Sequence, residues 1–568
     1  MADPAPDIAL YFDPDGFVEQ LGPPRPGAAG PAGLMGRQVA GKEFLDAYLA
    51  HGRWAALTAV ARSRDRAGPL VQIARDHPSG RTRRRRIKVV EEARFADEFG
   101  GPAPPARAFY FPQPPDARFA WQRHAAAPGC VALSGVTHTL SSAGAVAGLC
   151  ELVHAPFEPY DALICTSRAV VNMVRAVTDS YAAYLKDRFG GNPSLRPRLE
   201  RIPLGVNPDK FRPPTPGGRA AARRQFNLAD DEVVVLCVGR LSHHAKAHPY
   251  PVFHAAGEAA RRTGRKVHLL MAGWAANAHI AGAFRAGAGA FVPPARVSFV
   301  DGQDPKVRAG VWPAADIAIS LPDNIQETFG LVVVEGMAAG LPVVGSDWDG
   351  YKDLIADGET GYLVPTRMVR GAAAGTTGRL LSGAVNYDYF LAECCQTVAV
   401  DPGAAAGAVA RLVADDALRA RMGAAGRERV LAHFTWERVI RAYEELWLDQ
   451  ERELAKATPA APAGPVRYPP PDVSFAGYPT GWLDDGSLVA ATPGSEAGLA
   501  PRLGLPLTNL VAHRRSADPA VLADLLRSAV DPRPVGELAG ALEAKGLGPE
   551  AARATVAWLL KYGLLSPA

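Results

Sequence analysis

The sequence predicts an α/β protein: two consecutive α/β domains, then a small, mainly α-helical module. Three observations carry this prediction. Apolar runs that end in glycine or a polar residue recur through residues 1–435, and such runs read as strands buried on both faces. Helical patterns stand among them, such as Phe44-Leu45 followed by Tyr48-Leu49. Beyond an Ala- and Pro-rich stretch, 455–471, apolar residues return at helical spacing.

In chain order, Gly33-Leu-Met-Gly-Arg-Gln-Val-Ala-Gly41 precedes the first helical pattern, which ends at His51-Gly52. Glycine here, Gly36 included, lets the backbone approach a ligand closely, and the helix N-terminus favours an anion. Arg37 is either a further cation for that anion or a solvated side chain. Arg81-Thr-Arg-Arg-Arg-Arg-Ile-Lys88 is the one strong charge run. It reads as a solvated loop or as an electrostatic dock for an anionic acceptor or membrane surface, while Ile87 and Val89-Val90 look like the start of a strand. Val131-Ala-Leu-Ser-Gly-Val-Thr-His-Thr139 reads as a buried strand that delivers His138 to its C-terminal end, where ligands of open α/β sheets gather. The alternative is a histidine satisfied within its own domain. Tyr160-Asp-Ala-Leu-Ile-Cys-Thr-Ser-Arg168 is a strand and then a helix start, with Arg168 structural.

In the second domain, Val233-Val-Val-Leu-Cys-Val-Gly-Arg240 is a buried strand ending in Gly239 and Arg240, followed by Leu241-Ser-His-His-Ala-Lys246. Leu269-Leu-Met-Ala-Gly273 is another strand closing on glycine. Trp312-Pro-Ala-Ala-Asp-Ile-Ala-Ile-Ser-Leu321 reads as a helix end and a short strand, and Val343-Val344-Gly345 as the next strand. Between them lies Gln326-Glu-Thr-Phe-Gly-Leu-Val-Val-Val-Glu-Gly-Met-Ala-Ala-Gly340. Glu327 therefore falls on a strand-to-helix loop, and Glu335 about a turn and a half inside the helix. The amides near Gly330 and Leu331 become free donors at a helix N-terminus, a site for phosphate. A carboxylate on each side suits a ligand with hydroxyls at both ends of a diphosphate, as in a nucleotide sugar.

Glu327 and Glu335 at this spacing, with Phe329-Gly330 between them and Gly340-Leu-Pro-Val-Val344 following, resemble the E-x7-E signature of retaining GT-B glycosyltransferases of the family 4 type. The resemblance implies two Rossmann-like domains facing across a cleft and transfer of a sugar from a nucleotide-diphosphate sugar to a saccharide or lipid-linked acceptor. By the same analogy Glu327 bonds sugar hydroxyls and Glu335 the ribose. Arg240 and Lys246 hold the diphosphate as catalytic cations, and Thr328, Phe329, Gly330, Leu331, Gly239 and the Gly36 loop belong to the donor cradle. His138 lies near the transferred sugar. One departure is visible: Lys246-Ala247 replaces a Lys-Gly pair, and Lys246 stands one residue later than the family pattern. The mechanism implied is front-face attack with the leaving phosphate taking the acceptor proton. No cofactor and no metal are implied, and no Asp-x-Asp motif stands where one would be needed. The rivals are a sugar-nucleotide-binding scaffold without activity, or another GT-B enzyme such as an epimerase or a phosphorylase. A phosphorylase would need a lysine-bound pyridoxal phosphate, and nothing singles one out.

The same resemblance reads Gly205-Val206-Asn207 as the interdomain crossing and Val297-Ser-Phe-Val-Asp301 as opening a loop toward the base. Gly358-Glu-Thr-Gly-Tyr-Leu-Val364 is its turn and short strand beyond the donor site. Phe434-Thr-Trp-Glu437 opens a helix, N-capped by Thr435, that returns to the first domain. The boundaries that follow are 1–200 for the N-terminal acceptor domain and 201–435 for the donor domain, then 436–454 for the returning helix, 455–471 for the linker and 472–568 for a winged-helix-like module. Residues 367–397 exceed the family pattern. Gly371-Ala-Ala-Ala-Gly375 and Asn386-Tyr-Asp-Tyr-Phe390 look like an inserted lid, which could exclude water near the donor, or a packed excursion, with a surface insertion without a catalytic part the favoured reading. The module's last helix offers only Arg553 and Lys561 on an Ala-rich background, which favours a protein partner over DNA.

Composition agrees. With 568 residues the chain is long enough for three or four domains. An apolar share of 48% with 21% charged residues is ordinary for a globular protein, and a net charge of +4 argues against a dedicated nucleic-acid binder. No apolar run reaches the roughly 18 residues of a membrane helix, and the start, Met1-Ala-Asp-Pro-Ala-Pro-Asp7, has no secretory pattern. Six cysteines, Cys130, Cys150, Cys165, Cys237, Cys394 and Cys395, are scattered, three of them in predicted strands, with neither metal nor disulfide spacing. The expected location is the cytoplasm, with a peripheral contact at the inner face of the membrane left open.

Overall fold

The computed structural model describes residues 7–17, 36–79, 86–458, 464, 466–508 and 517–568. It divides into two compact units, Met1–Val466 and Arg467–Ala568. The first unit is built on two parallel sheets. The N-terminal sheet holds β1 (Ile8–Tyr11), β2 (Ala56–Ala61), β3 (Arg86–Glu91), β4 (Ala108–Phe111), β5 (Ala132–Val136), β6 (Ala162–Cys165) and β7 (Arg198–Arg201), in the order β3-β2-β1-β4-β5-β6-β7. The second holds β8 (Val233–Val238), β9 (Val267–Gly273), β10 (Arg296–Asp301), β11 (Ile317–Ser320), β12 (Val343–Ser346) and β13 (Gly361–Val364), in the order β10-β9-β8-β11-β12-β13. Both are doubly wound: the strand order reverses beside β1 in one sheet and beside β8 in the other. Ligands bind such sheets outside the carboxyl ends of the strands at the reversal, here the ends of β8 and β11. Strands β4, β5, β8, β9 and β11 are almost wholly buried, which is why they read as apolar runs rather than alternating ones. Residues 297–301, expected to open a loop, lie inside β10 instead.

The chain passes between the two sheets twice, and the passages pair with each other. The Val206 amide donates to the Phe434 carbonyl at 2.8 Å, and the Trp436 amide donates to the Val206 carbonyl at 3.2 Å. Gly205 has no Cβ to spare here, since one would lie 2.4 Å from the Trp436 indole. Thr435 caps the helix Trp436–Lys456, its side chain accepting from the Arg438 amide. The apolar face of that helix belongs to the N-terminal core: Trp436, Ile440, Tyr443 and Trp447 pack with Leu10, Phe44, Tyr48, Trp54 and Tyr110. Trp447 Nε1 donates to Ser134 Oγ at 3.1 Å, and Gln450 Nε2 donates to the carbonyls of Leu133 at 3.1 Å and Tyr160 at 2.8 Å.

Between β13 and the next long helix, β14 (Thr366–Met368) pairs antiparallel with β15 (Val398–Val400) and encloses the helices Thr376–Leu381 and Tyr387–Cys395. Among the sequence readings of this stretch, its packing agrees with the packed excursion rather than with the surface insertion. Phe390, Leu391 and Cys394 share a buried cluster with Ala245, and Ile325 and Tyr387 lie against it. Apolar side chains on the inner face of the helix Tyr387–Cys395 require a partner, and the partner is the carboxyl edge of the second sheet, at Ala245 and Ile325.

The second unit carries a three-stranded antiparallel sheet, β17 (Arg533–Pro534), β16 (Leu488–Ala491) and β18 (Leu565–Pro567), with β16 in the middle. The helices Ser495–Gly504, Pro519–Ser528, Val535–Glu543 and Pro549–Lys561 complete it around Val489, Leu499, Leu522, Leu538, Leu542 and Leu559. Arg553 is held by Asp485 at 2.9 Å and Glu543 at 3.5 Å. Residues 81–85 of the basic run and 33–35 of the glycine stretch lie outside the described residues; Lys88, on β3, pairs with Glu98 at 2.7 Å. Among the described residues no helix is long and apolar enough to cross a membrane.

Trp447→Ala empties a fully buried site shared by the returning helix and the N-terminal sheet. Such a truncation costs about 3–5 kcal/mol, and denaturant unfolding of the variant is expected to show a loss of that size. A loss below about 1 kcal/mol would mean that the helix contributes little to this core.

Candidate functional site

Two loops meet at the carboxyl edge of the second sheet. One follows β8 and carries Gly239, Arg240 and the turn from Ser242 to Lys246, closed by the Lys246 amide on the Ser242 carbonyl at 3.1 Å. The other follows β11 and runs from Asp323 to Gly330. Three side chains of the second loop hold three residues of the first. Asp323 accepts from the His248 amide at 3.2 Å, Asn324 Nδ2 donates to the His244 carbonyl, and Lys246 Nζ meets Glu327 Oε2 at 2.5 Å. Gln326 is positioned in turn, its amide donating to Asn324 Oδ1 at 2.8 Å. Arg240 bends back, Nη2 donating to the Ala245 carbonyl at 3.2 Å, close enough to Lys246 to oppose its positive charge. Arg240, Lys246 and Glu327 together carry one net positive charge, which suits an anionic ligand.

The charge states follow from burial and pairing. Burial pushes the Glu327 carboxyl up, but Lys246 and the Phe329 and Thr328 amides outweigh it, so the group lies below its ordinary value and is ionised. Burial lowers Lys246 and Glu327 raises it, with the net result above the ordinary lysine value. Glu335 differs: burial and then the negative charge of Glu43 push it up to about 8. It stands in the helix Leu331–Ala338, whose N-cap is Gly330 at φ 109°. A Cβ on Gly330 would lie 2.3 Å from the Tyr351 ring. Glycine is thus required by both conformation and contact, and the first turn of the helix is left without a side-chain cap. Phe329 is buried beneath this turn, while Thr328 and Leu331 are half-buried at its mouth.

The N-terminal domain supplies the opposite side. Gly36 is the first residue of the helix Gly36–His51. Two turns on, Glu43 reaches the second domain, 3.3 Å from Lys210 Nζ and 3.4 Å from Trp436 Nε1. His138 lies two residues past β5, half-buried, with Nε2 2.8 Å from the Pro112 carbonyl oxygen. That bond lies within its own domain, and three neighbouring residues tie the domains directly across the cleft. Thr166 Oγ1 donates to the Thr328 carbonyl at 3.1 Å. The Arg168 amide donates to Asp353 at 2.7 Å, and its guanidinium pairs with the same carboxylate, consistent with a structural arginine. Ser141 Oγ lies 2.6 Å from Tyr387 Oη. A cavity of about 770 Å³ opens at the hinge, lined by Glu43, Asp46, Asn207, Lys210 and Trp436. It does not include the loops that carry Lys246 and Glu327, which remain the candidate site on the chemistry of their side chains.

The structure thus brings Gly239, Arg240, Lys246, Glu327, Thr328, Phe329, Gly330, Leu331 and Glu335 to one edge, with His138 and Gly36 on the other domain. Sequence reasoning missed four groups there. Asp323 and Asn324 stand directly after β11, and an acid at the end of a strand beside the sheet's reversal was a signal available to it. Asp349, in the left-handed region at φ 48°, has one carboxylate oxygen buried with no hydrogen-bond partner. Burial, then Glu327, push it up to about 8. Tyr387 falls in the Asn386–Phe390 segment that reads as a lid or packed excursion, but its individual role had no signal, because its partners lie 246 and 61 residues away. Among the described residues no cluster of three or more His, Cys, Asp or Glu side chains is arranged to hold a metal ion.

Residues 232–383, which contain both loops, match the family model described as glycosyl transferases group 1. The chain is 29% identical over 332 residues to a D-inositol 3-phosphate glycosyltransferase of Geodermatophilus obscurus, a match covering 55% of this chain and 60% of that one. It is 34% identical over 202 residues to the enzyme of that name from Nocardia farcinica, covering 33% and 40%. The chain thus spans about half the length of the curated relatives it matches. Among solved structures, HepE of Anabaena in complex with UDP and glucose is similar at a TM-score of 0.47 and 14% identity, covering 78% of this chain and 98% of that one.

Asp323, raised to about 7, and Glu335 and Asp349, raised to about 8, hold their protons more tightly folded than unfolded. Their contribution to stability is complete below the ordinary carboxyl range and is lost as pH rises through these values. The Tm of the unliganded protein is expected to fall between about pH 5 and about pH 9. Glu335→Gln cannot ionise and should lose less over that interval. Parallel Tm profiles for the two proteins would remove Glu335 from this account.

Proposed function

We propose that this chain, which carries a glycosyl transferases group 1 domain over residues 232–383, is a retaining, family 4-type glycosyltransferase that moves a sugar from a nucleotide-diphosphate sugar to a saccharide or lipid-linked acceptor. The observation that supports it best is the pairing of Lys246 with Glu327 beside Arg240 at the strand-order reversal. Lys246 keeps Glu327 ionised, and an ionised carboxylate only accepts hydrogen bonds, which matches the hydroxyls of a sugar. The two cations, with the uncapped amides at Gly330 and Leu331, supply positive potential for a diphosphate. Glu335, with a carboxyl near neutrality in the absence of ligand, is proposed to meet the ribose.

In the proposed step the acceptor hydroxyl oxygen bonds to the anomeric carbon as the bond from that carbon to the diphosphate oxygen breaks. The electron pair stays on the leaving phosphate, which also takes the acceptor proton. Arg240 and Lys246 stabilise the charge that builds there, and no metal is assigned a part in this reading. His138 is proposed to lie beside the transferred sugar. Its imidazole already bonds the Pro112 carbonyl, which orients the ring. The location proposed is cytoplasmic, with a peripheral contact at the inner face of the membrane. The second unit is read as a protein-binding module, because Arg553 is already neutralised by Asp485 and Glu543.

The test is release of nucleoside diphosphate from a panel of UDP-, GDP- and ADP-sugars. It is run first without acceptor and then with an acceptor set that includes D-inositol 3-phosphate, the compound in the relatives' name. Glu327→Ala and Arg240→Ala are each expected to lower turnover at least about a hundredfold, the scale for removing one preorganised charge-stabilising contact. Near-normal turnover in either variant would sink the site assignment. No release from any donor, with none bound in a thermal-shift assay, would favour the scaffold.

A further inference from the structure

We propose that the insertion between β13 and the helix Pro402–Ala414 is a water-excluding latch of the donor site, and that Tyr387 is its positioning residue. The consequence for catalysis rests on the glycosyl-transfer reading above; the geometry does not. Tyr387 opens the helix Tyr387–Cys395, which Asn386 caps by accepting from the Tyr389 amide at 2.9 Å. Its ring is half-buried, and its hydroxyl lies between two loops on opposite domains. Ser141 Oγ, three residues past His138, is 2.6 Å away, and Gln326 Nε2, beside Glu327, donates to it at 3.2 Å. One phenol oxygen thereby joins the loop after β5 to the loop after β11. A tyrosine hydroxyl has one proton to give and can also accept, so it accepts from Gln326 while either hydroxyl donates in the contact with Ser141.

The helix behind the phenol is fastened to the same edge. Phe390, Leu391 and Cys394 pack on Ala245, the residue before Lys246, and on Ile325, two residues before Glu327. Cys395 Sγ donates to the His243 carbonyl at 3.5 Å. The insertion therefore grips both loops that hold the Lys246–Glu327 pair and extends one polar group to the facing domain. An element that only filled surface would have no reason to do both.

Closure of this kind changes which nucleophile reaches the donor. In the competing reaction a water oxygen bonds to the anomeric carbon and the bond to the diphosphate breaks. The electron pair leaves on phosphate with a proton from the water, and the products are free sugar and nucleoside diphosphate. A latch across the cleft suppresses that reaction until an acceptor occupies the space.

The experiment compares the unaltered protein with Tyr387→Phe, Ser141→Ala and the double variant. Tyr387→Phe keeps the ring and its packing and removes only the hydroxyl. One readout, independent of activity, is amide hydrogen exchange in residues 137–142 and 323–329 without ligand. The other is acceptor-free hydrolysis of whichever UDP-, GDP- or ADP-sugar the unaltered protein turns over. Exchange in both segments is expected to rise in each single variant, and hydrolysis to rise roughly three- to tenfold, the scale of one lost hydrogen bond. Donor KM should stay within about twofold, since the diphosphate contacts are untouched. The double variant should add little to either single one, as two ends of one contact are not additive. Unchanged exchange in 137–142 in both single variants overturns the latch, whatever the donor. Raised exchange with a level or falling hydrolysis rate overturns its water-excluding role. No donor turnover by the unaltered protein, with exchange still responding to Tyr387→Phe, sinks the transfer reading and supports the latch as a structural closure.

Discussion

The pairing of Lys246 with Glu327 is the contact around which the second domain's binding edge is organised. Each residue alone would be costly there: a half-buried ammonium and a mostly buried carboxylate both lose hydration. Together they compensate each other, and the loops that carry them are fastened at two further points, Asp323 on His248 and Asn324 on His244. The parallel sheet below makes this possible. Strands β8 and β11 are neighbours in space although 78 residues of chain separate Val238 from Ile317, so loops distant in sequence leave the sheet side by side.

The hinge is a second constraint of the same type. The chain enters the second domain at Val206 and leaves it at Phe434, and the two passages bond to each other through backbone groups. The helix Trp436–Lys456 then completes the core of the domain from which the chain set out. The N-terminal domain is thus finished by residues far downstream. Residues near this crossing couple the domains electrostatically: Glu43 on the helix Gly36–His51 bonds Lys210 and also raises Glu335 across the cleft.

Much of the strand pattern was legible because buried parallel strands are apolar at every position, and such runs are conspicuous in a chain of ordinary composition. The Glu327–Glu335 segment was legible because a loop, a helix start and two acids fall within a single local stretch. In the sequence the insertion stays open between a lid, a packed excursion and a surface insertion for the opposite reason. Nothing local to Tyr387 and Phe390 fixes their neighbours, and only the fold packs them with Ala245 and Ile325. In the second unit the apolar spacing of three helices could be read, whereas the short strand Leu488–Ala491 could not, because four residues with one fully buried side chain leave almost no periodic signal.

By itself, the sequence determined the alternation of strand and helix, the acidic pair of the donor segment and the cations after β8, since each depends on residues near one another in the chain. The tertiary structure alone decided which of those charges meet. It paired Lys246, displaced by one residue from the expected position, with Glu327, bonded His138 within its own domain, and brought Asp323, Asp349 and Tyr387 to the edge. The physical reason is that charge state and hydrogen bonding depend on distance and burial, and for these groups both are set by segments tens to hundreds of residues apart.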